Sequence, residues 1–316
     1  MIEPLVQATE VSVGYDSAAG RVRAVDRVSL SIFRGETLGL VGESGCGKSS
    51  LGRALLQLLP LERGTVTFDG QALHGLSSAE LKKLRPRMQP VFQDPIAALD
   101  PRMSVGDTLG EALGVRSALT RAERTRQIGA LLDTIGLPPE SAERRPHAFS
   151  AGQRQRICIA RALAVEPEFL VLDEPVSALD VSVQAQIVNL LVELQRTRAL
   201  TYLFISHDLG VVAHLATRVA VMYAGRIVEL GPTEAVLAHP RHPYTRALIA
   251  SLPARSPEDR GQRVAVPGEP PSPLRRPAGC AFHPRCALAI QTCRTAVPAL
   301  QPAGPEHFAA CPVTAG

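Results

Sequence analysis

Gly42-Glu43-Ser44-Gly45-Cys46-Gly47-Lys48-Ser49 stands between a short apolar run and a leucine-rich stretch, and this octet constrains the fold more than any other feature of the chain. The preceding residues 37–41 read as a strand and residues 48–59 as a helix. A glycine-rich turn in that setting lets the backbone curl until its N–H groups converge on phosphate oxygens. The helix N-terminus adds partial positive charge at the same point. The octet therefore predicts a P-loop, a nucleotide cradle made by Gly42, Glu43, Ser44, Gly45, Cys46, Gly47, Lys48, Ser49 and the following Ser50. Lys48 is expected to neutralise the β- and γ-phosphates, and the Ser49 hydroxyl to bind Mg²⁺. The bland alternative, an ordinary strand-to-helix turn, leaves the Lys-Ser ending unexplained.

A second acidic element belongs with such a loop. Phe169-Leu170-Val171-Leu172-Asp173-Glu174-Pro175 reads as a buried parallel strand ending in two carboxylates. Asp173 is expected in the Mg²⁺ shell, with Glu174 polarising the attacking water. Strict alternation sends neighbours to opposite faces of a strand. Both carboxylates serve one site only if the strand ends there, which Pro175 favours.

Residues 1–252 alternate strand-like and helix-like segments, the pattern of an α/β fold with a parallel sheet. Residues 5–15, 22–32 and 64–68, the last followed by an Asp69-Gly70 turn, suggest a small antiparallel layer. Residues 104–163 read as helices broken at Gly136-Leu137-Pro138-Pro139, and strands return at 169–172, 201–205 and 219–223. Residues 253–277 are rich in proline, arginine and glycine and read as a linker or irregular segment. Four of the six cysteines follow it, Cys280, Cys286, Cys293 and Cys311, while Cys46 and Cys158 stand apart.

The 34 basic and 30 acidic residues leave a net charge of +4, no electrostatic reason to expect a nucleic-acid partner. No run reaches the ~18 apolar residues that span a bilayer, and residues 1–13 lack a signal-peptide core. The chain is expected to fold in the cytoplasm, reaching a membrane only through partners. There, clustered cysteines read first as metal ligands rather than disulfides.

Phe149-Ser150-Ala151-Gly152-Gln153 opens a helical run and resembles the Leu-Ser-Gly-Gly-Gln signature of the ATP-binding cassette family. Other motifs of the family fall in order along residues 1–252. Tyr15 resembles the aromatic that stacks on adenine, and Gln93 the glutamine linking the Mg²⁺ and water site to a membrane partner. Ser177-Ala178-Leu179-Asp180 resembles the loop between cassettes, and His207 the histidine at the γ-phosphate. The resemblance implies a P-loop NTPase with a RecA-like parallel-sheet core, an antiparallel β subdomain, a helical signature subdomain at about 94–163 and an irregular C-terminal extension. The cassette is expected at 1–252 and the extension at 253–316. Two cassettes of this family meet head to tail, so Ser150, Gly152 and Gln153 are expected to serve the nucleotide of a second cassette, either a related chain or a copy. Phe149 and Ala151 depart from the signature; Ala151 adds a methyl where backbone approaches phosphate.

Residues 92–105, 242–248 and 268–273 resemble the peptide-importer branch, to which nickel and glutathione importers are similar. That implies an ATP-hydrolysing motor on the cytoplasmic face of the cell membrane. Its partners would be two permeases and, indirectly, an exported solute-binding protein. A cassette ATPase acting on DNA or ribosomes is the rival reading. The cysteine gaps of five, six and seventeen residues suit a cubane cluster or zinc, without the C-x₂-C pairs common in zinc sites. The tail resembles that of the peptide branch, where such cysteines hold a [4Fe–4S] cluster.

Overall fold

The computed structural model describes residues 3–18, 20–115, 118–251, 268–272 and 274–314. The linker expected at 253–277 lies mostly outside them. Elements follow in chain order. β1 (Pro4–Ser17), β2 (Gly20–Phe33) and β3 (Thr37–Val41) precede α1 (Lys48–Leu55). Next come β4 (Arg63–Phe68), β5 (Gln71–Ala72), α2 (Ser78–Leu84) and β6 (Met88–Val91). The helices α3 (Pro95–Ala98), α4 (Val105–Gly114), α5 (Arg121–Thr134) and α6 (Ala151–Leu163) lead to β7 (Phe169–Asp173). Then follow α7 (Val181–Arg198), β8 (Thr201–Ser206), α8 (Leu209–Leu215), β9 (Arg218–Tyr223) and β10 (Arg226–Pro232). The chain finishes through α9 (Thr233–Ala238), α10 (Pro243–Ala250), α11 (Gln291–Thr295), β11 (Gln301–Gly304) and β12 (His307–Ala309).

These elements form two units, residues 1–74 with 204–316, and residues 75–203; β8 runs across the division. In the first unit an antiparallel sheet has the order β2-β1-β4-β5. Its long hairpin, broken by register shifts, buries Val11, Val13, Val25 and Val28. The same unit holds strands in the order β11-β12-β10-β9-β3. β3 and β9 run parallel, Leu38 opposite Arg218, and every residue of β3 is buried. Fully apolar strands of this kind belong to parallel sheets covered on both faces.

β10 was not foreseen, although Ala224 and Gly225, with φ of 44° and 82°, form the tight turn that returns it antiparallel to β9. Nor is the C-terminal extension wholly irregular. β12 pairs with β10 (Glu229 opposite Ala309), and β11 pairs with β12. Glu229 is fully buried and accepts from the N–H groups of Arg241 (2.7 Å) and His242 (2.8 Å), while His307 Nε2 lies 2.7 Å away. Three partners compensate a carboxylate that would be prohibitive alone.

His242 caps α10, its Nδ1 accepting the Tyr244 N–H at 3.1 Å. Burial pushes its pKa down to about 3, so the folded chain holds it neutral. Below the ordinary value near 6.5, the unfolded chain takes a proton that the folded one refuses. Stability is therefore lost as pH falls from 6.5 toward 3, by up to about 1.4 kcal/mol per pH unit. His242→Asn keeps an oxygen acceptor at the cap and removes the proton. It is expected to flatten the fall of the unfolding midpoint between pH 6.5 and 5; an unchanged slope contradicts the assignment.

In the second unit β6 and β7 pair in parallel, Met88 opposite Phe169. Four helices of this unit start on capping boxes: α2 on Ser77 with Glu80, α4 on Ser104 with Asp107, α5 on Thr120 with Glu123 and α6 on Ser150 with Gln153. Each hydroxyl takes an orphan N–H of the first turn and each partner returns to the cap. α5 stops before Gly136, whose φ of 69° only glycine adopts freely. The break falls where the Gly-Leu-Pro-Pro run predicts it.

Candidate nucleotide site

In the first unit the octet joins β3 to α1, as expected. Gly42 (φ 157°) and Gly47 (φ 107°) let it curl. A Cβ on Gly42 would lie 2.2 Å from the Met222 carbonyl oxygen, and one on Gly47 2.2 Å from that of Ala24. The turn is thus pressed against neighbouring backbone and tolerates no side chain there. The Cys46 carbonyl accepts the Gly225 N–H at 2.8 Å, tying the loop to the β9–β10 turn.

Lys48 is 4% exposed, and its ammonium donates to the carbonyls of Gly42 (2.8 Å) and Glu43 (3.1 Å). A buried cation at the start of α1, where the helix N-terminus adds partial positive charge, fits phosphate. Ser44 and Gly45 are exposed at the tip, and Ser49 and Ser50 are half-buried in the first turn of α1. Burial raises the Cys46 thiol pKa, which keeps it protonated and inert. Tyr15 sits on β1 with 51% of its surface exposed, free in area to stack. His207 follows β8 and is exposed; Asp208, not His207, caps α8, accepting the Gly210 N–H at 2.7 Å.

The second unit carries the acidic strand and the signature. β7 ends at Asp173, 5% exposed, and Glu174 turns left-handed with φ 46°. Strained backbone of this kind gathers at functional sites. Here it breaks the alternation that would otherwise part the two carboxylates. Gln93, just beyond β6, donates from Nε2 to Glu174 Oε2 at 3.2 Å and to Ser177 Oγ at 3.4 Å. Ser177 Oγ in turn donates to the Glu174 carbonyl at 3.1 Å. Gln93 thus joins Glu174 and Ser177, 81 and 84 residues further along the chain, in one hydrogen-bonded cluster.

Ser150 is the exposed N-cap of α6, with Ala151 and Gly152 its first residues. Its Oγ accepts the Gln153 N–H at 3.3 Å, and its own N–H donates to Gln153 Oε1 at 3.0 Å. Gly152 has a packing reason to be glycine: a Cβ there would lie 2.4 Å from Val183 Cγ1. The sequence reads the segment after Gln93, with residues 99–103, as part of an outer partner surface; Leu99 is 3% exposed and belongs to the core, while Asp100, Pro101 and Arg102 are exposed, as is Ile96 on α3 at 65%.

The tail cysteines are free thiols, Cys293 and Cys311 buried, Cys280 and Cys286 half-buried. Burial raises the pKa values of Cys280 and Cys286, and the neighbouring cysteines raise them further. No group of three or more His, Cys, Asp or Glu among the described residues is arranged to hold a metal ion.

Two residues far along the chain grip the loop. Glu43 donates its N–H to Tyr244 Oη (2.8 Å), and its carboxylate receives Arg285 (2.8 and 3.0 Å). Tyr244 and Arg285 lie in runs whose family resemblance is visible, but nothing local reveals a partner some two hundred residues away.

Residues 25–177 match the ABC transporter family, and residues 228–293 match the C-terminal region of oligopeptide/dipeptide transporters. A putative peptide import ATP-binding protein of Brucella ovis is 48% identical over 308 residues, 98% of this chain and 97% of its own. The putative oligopeptide transport ATP-binding protein YkfD of Bacillus subtilis is 46% identical over 98% of this chain and 95% of its own. Among solved structures, cbiO1 of Clostridium perfringens, part of the cbiONQ ABC transporter complex, superposes with a TM-score of 0.67. It is 30% identical and covers 75% of this chain and 92% of its own. A dimeric post-hydrolysis ATP-binding cassette bound to ADP and Pi gives the same TM-score at 28% identity, over 72% of this chain and 98% of its own.

Proposed function

The chain belongs to the ABC transporter family, in its peptide-import ATP-binding branch, and we propose that it is one of two cassettes beneath a pair of permeases. It is an ATP hydrolase that powers import. The observation that carries the reading is the joint match of a cassette and an oligopeptide/dipeptide transporter C-terminal region in one chain.

In this reading the cassette is residues 1–252 and the extension 253–316. The loop from Gly42 to Ser50 holds the phosphates through N–H groups and Lys48, and Tyr15 stacks on adenine. Ser49 and Asp173 bind Mg²⁺, which supplies charge neutralisation to the phosphates. Glu174 orients and polarises water, Gln93 reports its state outward, and His207 faces the γ-phosphate. Ser150, Gly152 and Gln153 serve the nucleotide of the second cassette. No described helix is long and apolar enough to cross a membrane, so attachment to the cytoplasmic face falls to the permeases. Exposed Ile96 on α3, three residues after Gln93, is proposed as the apolar contact offered to them. An exported solute-binding protein delivers the peptide.

The isolated chain is expected to hydrolyse ATP weakly and to be stimulated when a second cassette and two permeases assemble with it. Full, peptide-regulated activity of the lone monomer contradicts the shared-site reading. Stimulation by DNA or ribosomes instead would favour the rival class.

The tail cysteines are proposed to hold a [4Fe–4S] cluster of structural role. What supports this is the four thiols on one small extension, Cys280, Cys286, Cys293 and Cys311; among the described residues they are not arranged as a metal group, so the cluster would have to draw them together. Small irregular segments commonly need such a staple. Anaerobically purified protein should be brown and contain iron and sulfide. Colourless protein with stoichiometric zinc contradicts the cluster, and metal-free protein contradicts any metal.

A further inference from the structure

Arg285 stands between Cys280 and Cys286 in the extension, yet its side chain is only 6% exposed. Its Nη1 and Nη2 donate to the two carboxylate oxygens of Glu43 at 2.8 and 3.0 Å, and Nη1 also reaches Tyr223 Oη at 3.2 Å. The guanidinium carbon lies 5.8 Å from the Tyr223 ring centroid and 5.9 Å from that of Phe282. Tyr223, Tyr244 and Phe282 pack together with centroids 4.5 to 5.4 Å apart. The second residue of the phosphate loop is therefore held at its N–H by Tyr244 and at its carboxylate by Arg285. A two-pronged, aromatic-walled pair is the strong, geometrically defined kind.

The pair is not needed merely to dock the tail, which has other anchors. β12 pairs with β10, and Arg276 reaches Asp26 at 3.0 Å on β2. What Arg285 adds is specific to the loop. An anion-binding loop that carries its own carboxylate opposes a polyphosphate unless that charge is neutralised.

We propose that Arg285 is a positioning residue of the nucleotide site, neutralising and fixing Glu43 so that the C-terminal extension sets the affinity for ATP. This rests on the reading of the octet as an ATP phosphate loop. The effect of Arg285 passes through the Glu43 carboxylate that it grips. The effect belongs to binding, because the water-activating groups lie on another part of the chain.

The test is calorimetric titration of the full chain with Mg-ATP, together with KM and kcat in the assembled complex. Arg285→Gln is expected to weaken affinity about tenfold and raise KM similarly, with kcat within about twofold, since it leaves a carboxylate unpaired in the loop. Adding Glu43→Gln to that variant should restore most of the loss, because the offending charge is gone. A structural staple predicts no such rescue, and its absence overturns the proposal, as does unchanged affinity in Arg285→Gln. If the glutamine variant does not fold, Arg285→Lys keeps the charge but loses the two-pronged geometry, and should cost less than about tenfold in affinity; a tenfold or larger loss there overturns neutralisation. Lys48→Ala separates the two readings. If it retains affinity, the phosphate-loop assignment fails; if it alone loses affinity, only the role of Arg285 fails.

Discussion

Replacing Glu174 by glutamine is expected to lower ATP turnover in the assembled complex by about 10²–10⁴-fold while Mg-ATP affinity stays within a few-fold, the contribution of a positioned general base. The substitution preserves shape: the amide oxygen can still accept from Gln93 Nε2, which lies 3.2 Å from the present carboxylate. What disappears is the negative charge and the ability to take a proton from water. The backbone also argues for this residue. Glu174 holds a left-handed φ of 46° directly after β7, and that strain is retained beside a buried Asp173 rather than relieved by glycine. In the proposed reading binding rests elsewhere, on loop N–H groups and Lys48, so affinity and turnover should separate. Turnover within a few-fold of wild type in pre-steady-state and steady-state assays would remove Glu174 from its role.

Lys48→Ala should abolish both quantities together. The ammonium is buried and satisfied by two loop carbonyls, so its removal deletes a positive charge and loosens the turn around it. Charge-assisted contacts of this kind are each worth about 1.5–3 kcal/mol, and losing them corresponds to roughly 10²-fold in affinity. Measured by equilibrium titration, the variant should show no saturable Mg-ATP binding at concentrations that fill the wild type. Retained binding with lost turnover would make Lys48 a catalytic group only.

The parts legible in the sequence are those whose signal is local. β3, β7, β8 and β9 are short apolar runs because they are buried on both faces, and the octet carries its own turn chemistry. The capping boxes at Ser104 and Thr120 write helix starts as hydroxyl-x-x-carboxylate. β10 escaped because Glu229 interrupts its apolar pattern, and its compensation comes from Arg241, His242 and His307. β12 has three residues and becomes a strand by pairing with β10 and β11. Gly152 reads as a phosphate contact in sequence, whereas its neighbour Val183 supplies a packing reason as well. Leu99 reads as a surface residue from its motif and is core by burial. Arg285 and Tyr244 meet Glu43 across 242 and 201 residues, a proximity that only the fold creates.

The most direct test of the account is peptide uptake by vesicles containing the chain, a second cassette, two permeases and the solute-binding protein, with ATP on the cassette side. Labelled di- or oligopeptide should accumulate with wild-type chain and ATP, and fall to background with Glu174→Gln in this chain. Uptake that persists in the variant, or ATP hydrolysis indifferent to peptide and permeases, would contradict it.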